Sequence, residues 1–157
     1  MSRDSGLQLD SYLPYRLSVA SNAVSGLIAR AYEDRFGLSI PQWRLVCVLA
    51  EDGGLSQVQI VARTMMDKVT VSRAAQGLVK RRLIARTQNR MDARSHVLAL
   101  TEAGRNLHAE IAPLALAYEA ALIAGLDAGE VSLLKRLLGR LQAAAGELAG
   151  ESAPAPT

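Results

Sequence analysis

The chain has 157 residues and a net charge of +3, with half its residues hydrophobic but only 4% aromatic. That length suits one domain of ordinary size, the Ala- and Leu-rich composition favours packed helices over sheet, and no apolar run is long enough to span a membrane. The single cysteine, Cys47, excludes an internal disulfide, and MSRDSGLQLD lacks the apolar core of a signal peptide, so a cytoplasmic protein is expected.

Residues 1–11 are polar and unpatterned, and residues 150–157 are built from Pro, Ala and Ser. Both stretches are expected to be mobile, leaving 12–149 as one domain. A first helix starts near Pro14, which suits a first turn, and runs through Leu17, Ala20, Val24, Ile28 and Ala31 to Gly37. A second is announced by Ser39-Ile40-Pro41-Gln42, a capping box in which Leu38 can staple against Trp43, and it stops at Gly53-Gly54. The same grammar recurs at Leu55-Ser56-Gln57-Val58-Gln59-Ile60, opening a short helix that cannot extend far past Arg63. Asp67 then caps another helix over 67–80, with Met66 and Val71 at the staple positions. Two helices in such close succession make a helix-turn-helix.

On the wheel of that second helix Val71, Ala74, Ala75 and Leu78 share one side. Val69, Arg73, Gln76 and Lys80 lie opposite, flanked by Thr70 and Ser72, with Lys68 in the first turn. These are the side chains that reading a major groove requires. Arg pairs with guanine, Gln with adenine, hydroxyls with either partner, and a Val methyl meets the thymine methyl. An ordinary solvated amphipathic helix has the same pattern, so the neighbours decide between the two.

After Arg82 the period changes. Residues 83–87 and 96–100 are β-compatible and are joined by the polar stretch 88–95, which predicts a hairpin or wing. Arg90 and Arg94 at its tip can reach phosphates or a narrow minor groove, and Asp92 is close enough to orient one guanidinium. The positive charge is local: Arg63, Lys68, Arg73, Lys80, Arg81, Arg82, Arg86, Arg90, Arg94 and Arg105 face only Asp67, Asp92 and Glu102 within residues 63–105. Thr101 can cap a long helix carrying Leu107, Ile111, Leu114, Tyr118 and Leu122, bent at Pro113. A last helix opens with a further capping box at Asp127 and Glu130 and continues through Leu134, Leu137, Leu138, Leu141 and Leu148. The terminal helices carry more apolar surface than a small DNA-binding unit needs, which predicts a dimer interface built from both ends of the chain. A twofold axis then sets two recognition helices about 34 Å apart on a palindromic site in double-stranded DNA.

This order of elements, with VTVSRAAQGLVKRRLIAR followed by DARSHVLALTEAG, resembles the MarR family (multiple antibiotic resistance regulators) of bacterial transcription factors. The resemblance covers residues 12–148. Its most specific motif is Asp92-x-Arg94 followed by L-x-L-T from Leu98 to Thr101, with Thr70-Val71-Ser72-Arg73 in support. It implies a mainly α fold with a small β-hairpin wing. A winged helix-turn-helix lobe would occupy 38–101, with dimerisation helices at 12–37 and 101–149. It also implies a homodimer, usually a repressor, whose DNA affinity changes when a small aromatic or phenolic effector binds between the dimerisation helices and the DNA-binding lobe. The operator of related regulators commonly overlaps their own promoter, so autoregulation is expected. By the same resemblance Arg94 enters the minor groove with Asp92 as its orienting partner, while Arg73, Thr70, Ser72 and Gln76 serve the major groove. The chain departs from the family in having Arg82 where Gly often follows the recognition helix.

Tyr12, Tyr15 and Arg16, with Trp43 and Arg44, could supply an aromatic wall and an anion partner for an effector. Alternatively Trp43 is a staple or core residue and the two arginines are exposed or interface charges. Cys47, within Leu45-Val46-Cys47-Val48-Leu49, reads as a small buried hydrophobe or, alternatively, as a redox trigger. Met65 and Met66 read as packing residues. His96 and His108 have no acidic or thiol cluster at ligand spacing, so neither metal nor cofactor is expected. No nucleophile elbow, phosphate loop or dinucleotide fingerprint is present, and Glu51-Asp52 before Gly53-Gly54 reads as solvated, which argues against an enzyme. The competing non-enzyme reading is a helical scaffold whose basic face meets an acidic protein partner.

Overall fold

The structure, a computed structural model, describes residues 6–150. The stretches 1–5 and 151–157, within the segments expected to be mobile, lie outside the described residues. Leu9–Ser11 forms a single 3-10 turn, after which α1 spans Leu13–Phe36, with Pro14 in its first turn and Gly37 closing it at φ +62°. Three helices follow: α2, Ile40–Asp52; α3, Gln57–Thr64; and α4, Lys68–Lys80. The hairpin pairs β1, Ile84–Gln88, with β2, His96–Leu100, and leads into α5, Glu102–Leu122, and α6, Ala128–Gly150. In chain order this is a winged helix-turn-helix preceded and followed by long helices.

Local chemistry sets the helix starts. Ser39 Oγ accepts from the Gln42 amide N–H at 3.3 Å while Gln42 Oε1 accepts from the Ser39 N–H at 3.0 Å. Ser56 and Gln59 repeat that exchange at 3.2 and 2.9 Å, and Asp127 and Glu130 do so at 2.8 and 2.9 Å. Each box satisfies two backbone donors that a helix start leaves open. Asp67 caps α4 by accepting from the Thr70 N–H at 2.8 Å. α3 is stopped by Met65, which takes a left-handed conformation at φ +58°.

The core of the winged lobe collects Leu38, Leu45, Val46 and Leu49 with Ile60 and Met66, and Val71, Ala75 and Leu78 of α4 pack into it. Tyr32 and Ile111 bring α1 and α5 to the same cluster, and Leu83, Ile84, Leu98 and Leu100 bring the hairpin. Apart from the phenol of Tyr32, no polar side chain is buried among the described residues. The hairpin is antiparallel in the register Ile84↔Leu100 to Gln88↔His96, so Ile84, Leu98 and Leu100 face inward. A feature absent from the sequence reading is a third pairing: Leu55 exchanges both backbone hydrogen bonds with Leu98, at 2.8 and 3.0 Å. It fixes the entry to α3 against the wing.

α4 ends in a Schellman turn. The Leu83 N–H donates to the Leu78 carbonyl at 3.0 Å, the Arg82 N–H donates to Val79 at 2.9 Å, and Arg82 sits at φ +58°. Thr101 closes the other side of this turn. Its N–H donates to the Leu83 carbonyl at 3.1 Å, and its hydroxyl lies 2.8 Å from the Arg82 carbonyl while accepting from the Gly104 N–H at 3.1 Å. The Leu83 carbonyl also rests against the Cα of Gly104, where any Cβ would overlap it.

The chain divides into two compact units after Ala115, inside α5 and two residues beyond Pro113. Pro113 has no N–H to give the Ala109 carbonyl. In the second unit Lys135 reaches Glu119 at 3.3 Å, and α6 has no buried residue.

Because backbone oxygen leaves no room beside Gly104, Gly104→Ala is expected to lower unfolding stability by about 2–3 kcal/mol, the scale of overpacking. Urea titration of both proteins measures this, and an unchanged midpoint would disprove the close approach.

Candidate nucleic-acid interface

One face of α4 is consumed by packing: Val71, Ala74, Ala75 and Leu78 are its buried residues. The other face is left to solvent, with Val69 at 58% exposure and Lys68, Arg73, Gln76 and Lys80 all exposed. Thr70 and Ser72 sit half-buried at the margin. A groove of about 430 Å³ is lined by Lys68, Val69, Ser72, Arg73 and Gln76 together with Gln57 of α3. Five of the residues expected to read DNA are therefore brought to one concave surface.

The hydrogen bonds within this face decide what each group still offers. Thr70 Oγ1 donates to Asp67 Oδ2 at 2.7 Å, so its proton is engaged and the hydroxyl is left as an acceptor. Gln76 Nε2 donates to Ser72 Oγ at 3.3 Å, which leaves the Ser72 hydroxyl proton and the Gln76 carbonyl outward. Two hydrogen bonds from Thr70 hold the Asp67 carboxyl below the usual carboxylate range, so the cap is an anion at neutral pH.

The wing tip is tied by its own polar groups. Asn89 Nδ2 reaches Ser95 Oγ at 3.1 Å, the Asn89 N–H reaches the Ser95 carbonyl at 2.9 Å, and Gln88 Nε2 reaches the Ala93 carbonyl at 2.8 Å. Asp92 Oδ1 accepts from the backbone N–H of Arg94 at 3.0 Å. Asp92 thus places Arg94 through the backbone, where the sequence had pointed to a contact with a guanidinium. Arg90 and Arg94 are both exposed around Met91, which is 94% exposed.

The basic patch is narrower than the sequence count. Arg63 is bound to Glu51 at 2.7 Å and Asp52 at 3.0 Å, which gives that acidic pair a partner. Arg81 and Arg105 donate to backbone carbonyls. Lys68, Arg73, Lys80, Arg86, Arg90 and Arg94 have no ion pair among the described residues. Two members of this surface escaped the sequence reading of the site. Arg86 of β1 shares a cleft of about 360 Å³ with Ser72, Gln76 and Lys80, and Gln57 lines that cleft as well. Arg94 meets the start of α3 in a further groove of about 200 Å³ lined by Ser56, Gln57, Arg86 and His96. Gln57 could have been suspected from its place in the first turn of α3, and Arg86 from its place in the basic run of residues 63–105.

Residues 36–95 match the MarR family. Over 108 residues the chain is 32% identical to the HTH-type transcriptional regulator TtmR of Methylorubrum extorquens (strain PA1), covering 67% of this chain and 53% of that protein. The chain therefore spans about half the length of this curated relative. It superposes on a MarR/EmrR family regulator from Acinetobacter sp. ADP1 with a TM-score of 0.83 at 24% identity, covering 90% of this chain and 99% of that one. It is also similar to BpsR of Bordetella bronchiseptica, whose DNA binding is regulated by 6-hydroxynicotinic acid. That likeness has a TM-score of 0.82 at 25% identity and covers 88% of this chain and 98% of the other. The chain belongs to the MarR family.

In this MarR-family chain the aromatic residues considered for an effector are separated by role. Trp43 stacks on His108 at 5.7 Å between ring centroids and meets Tyr32 at 5.3 Å, so it ties α2 to α5 and α1. Tyr12, Tyr15, Arg16 and Arg44 are exposed, and the clefts described here are lined by other residues. A cavity of about 460 Å³ lies instead among Leu49, Ala50, Gly53, Ala99, Leu100, Arg105 and His108. Cys47 is half-buried, and burial together with the negative charge of Glu51 pushes its thiol up to about 12.

A thiol raised this far is almost wholly protonated at pH 8, and the thiolate is the reactive form. Iodoacetamide should therefore label native Cys47 far more slowly than unfolded protein at pH 8, with the native rate rising only at strongly alkaline pH. Equal native and unfolded rates by mass spectrometry would contradict the burial argument. Asp67 gives a second pH test. Its folded pKa is depressed, so its cap stabilises the fold above the unfolded value of about 3.9 and is lost as pH falls through the lower folded value. The melting-temperature gap between wild type and Asp67→Ala should hold steady from neutral pH to about 5 and shrink below about 4. A gap independent of pH would rule out the carboxylate as its source.

Proposed function

We propose that this chain is a homodimeric, sequence-specific DNA-binding transcription regulator, a repressor released by a small aromatic or phenolic effector. The observation that carries the reading is the groove on α4. Lys68, Val69, Ser72, Arg73 and Gln76 converge there on the solvent side of a helix whose opposite side is buried and whose start is fixed by Asp67. That set combines phosphate-seeking cations with the donors, acceptors and methyl group that base edges pair with. In this reading Thr70 and Lys80 complete the α4 surface, Arg90 contacts backbone phosphate, Arg94 enters the minor groove, and Asp92 positions Arg94.

Two apolar faces support self-association. On α1, Leu13, Leu17, Val24 and Leu27 are exposed, and on α6 so are Leu133, Leu134, Leu137, Leu138, Leu141 and Leu148. Val131, Leu134, Leu138, Leu141, Ala145 and Leu148 recur at alternating steps of three and four, the spacing of a coiled-coil seam. An isologous dimer through these faces would repeat the reading helix about one DNA turn away. For the effector, the cavity bordered by Arg105 and His108 combines an apolar floor of Leu49 and Leu100 with a cation. That chemistry suits a planar organic acid. Trp43 adjoins it through its stack on His108. A thiol held protonated by burial and by Glu51 is a poor nucleophile toward oxidants, which favours a small molecule as the trigger.

Selection of duplexes from a random pool at near-physiological salt tests this function. Enrichment of an inverted repeat with half-sites about one turn apart is expected. Arg94→Ala should then weaken binding across sequences, whereas Gln76→Ala should shift preference at particular base pairs. Equal binding to all duplexes would replace the operator reading with that of a scaffold for an acidic protein.

A further inference from the structure

Arg81 is the first residue after α4, and by composition alone it belongs to the basic surface. Its guanidinium is nevertheless turned away from that task. Nη1 donates to the Gly37 carbonyl and Nη2 to the Phe36 carbonyl, each at 2.9 Å. These acceptors are the last residue of α1 and its left-handed cap, 45 and 44 residues away in sequence. The end of α1 presents carbonyls without helical partners and the negative end of the helix dipole, so a planar, permanently charged fork suits it better than a point charge. A Cβ on Gly37 would lie 3.7 Å from Nη1, so the guanidinium packs directly over the cap as well as bonding to it. On the next residue, the Arg82 carbonyl is held by the hydroxyl of Thr101 at the start of α5. Successive residues at the end of the reading helix are thus fastened to the ends of two different helices.

We infer that Arg81 is a positioning residue that couples the setting of the recognition helix to α1, and is not a phosphate contact. This rests on the DNA-binding function proposed above. If α1 contributes to the dimer interface, its C-terminal end is the point at which the distance between the two recognition helices passes into each winged lobe. Loss of the fork should loosen that distance without removing a charge from the DNA surface.

The test uses full-length wild type, Arg81→Ala and Arg81→Lys on the duplex that wild type enriches, with half-site spacing varied by about one base pair either way. Affinity is followed across a salt series. Both variants are expected to bind the preferred duplex about tenfold more weakly, a loss of about 1.4 kcal/mol. Their salt slope should match wild type, and their discrimination between spacings should fall. Simple destabilisation would lower the active fraction but leave spacing preference intact, and that result overturns the inference. So does Arg81→Lys behaving as wild type while Arg81→Ala loses about 0.9 of salt slope per protomer, because a phosphate contact needs only the charge. If Arg81→Ala does not fold, the charge-preserving lysine variant alone decides between the two. Failure of wild type to enrich any duplex overturns the DNA-binding function itself, and is distinct from enrichment by wild type with unaltered behaviour in the variants.

Discussion

The Leu83 carbonyl and the first turn of α5 approach as closely as backbone permits, and the placement of the wing depends on that approach. Gly104 supplies the space, and Thr101 uses its N–H and its hydroxyl on the carbonyls of Leu83 and Arg82 while capping the helix it begins. The strands on either side are consequently drawn into register, with Ile84 opposite Leu100. Arg82 is held in a left-handed turn that costs a residue with a Cβ about 1–2 kcal/mol. The two Schellman bonds and the Thr101 hydroxyl offset that cost locally, which is how an arginine occupies a place where glycine would be unstrained.

What was legible in the sequence was legible at short range. Ser39 with Gln42, Ser56 with Gln59 and Asp127 with Glu130 are partners three residues apart, and each pair forms the box its spacing announced. The inward face of α4 was readable because helical period alone sorts Val71, Ala74, Ala75 and Leu78 from their neighbours. The pairing of Leu55 with Leu98 and the fork of Arg81 on Phe36 and Gly37 were not readable. Nothing in a local pattern marks a backbone amide or a surface arginine as having a distant partner. Charge in sequence misleads for the same reason: Arg63 belongs to the basic run along the chain, but in the fold Glu51 and Asp52 hold it.

The outward face of α4 is prepared rather than merely polar. An exposed hydroxyl can turn to donate or accept, and a face of such groups discriminates bases weakly. Asp67 removes that ambiguity at Thr70 by accepting its hydroxyl's hydrogen bond, and Ser72 engages one end of the Gln76 amide. Readout depends on a fixed donor and acceptor pattern meeting the one presented by each base pair. The capping aspartate therefore does more than begin a helix. It sets the polarity of a neighbouring hydroxyl on the surface proposed to meet DNA.

The apolar faces complete the physical argument for self-association. α6 is 23 residues long and buries none of them within a single chain, yet helices in proteins draw most of their stability from packing an amphipathic face. Its leucines are not scattered, since Leu134, Leu138, Leu141 and Leu148 follow one seam with Ala145 between them. A solvated helix has no need for such regularity, and a contiguous exposed stripe of this length is a liability for a monomer. Pairing two copies would remove that liability and, by symmetry, would supply the second helix that the proposed palindromic site requires. Stability of the terminal helices and specificity for a two-part DNA site then have a common cause in the proposed dimer.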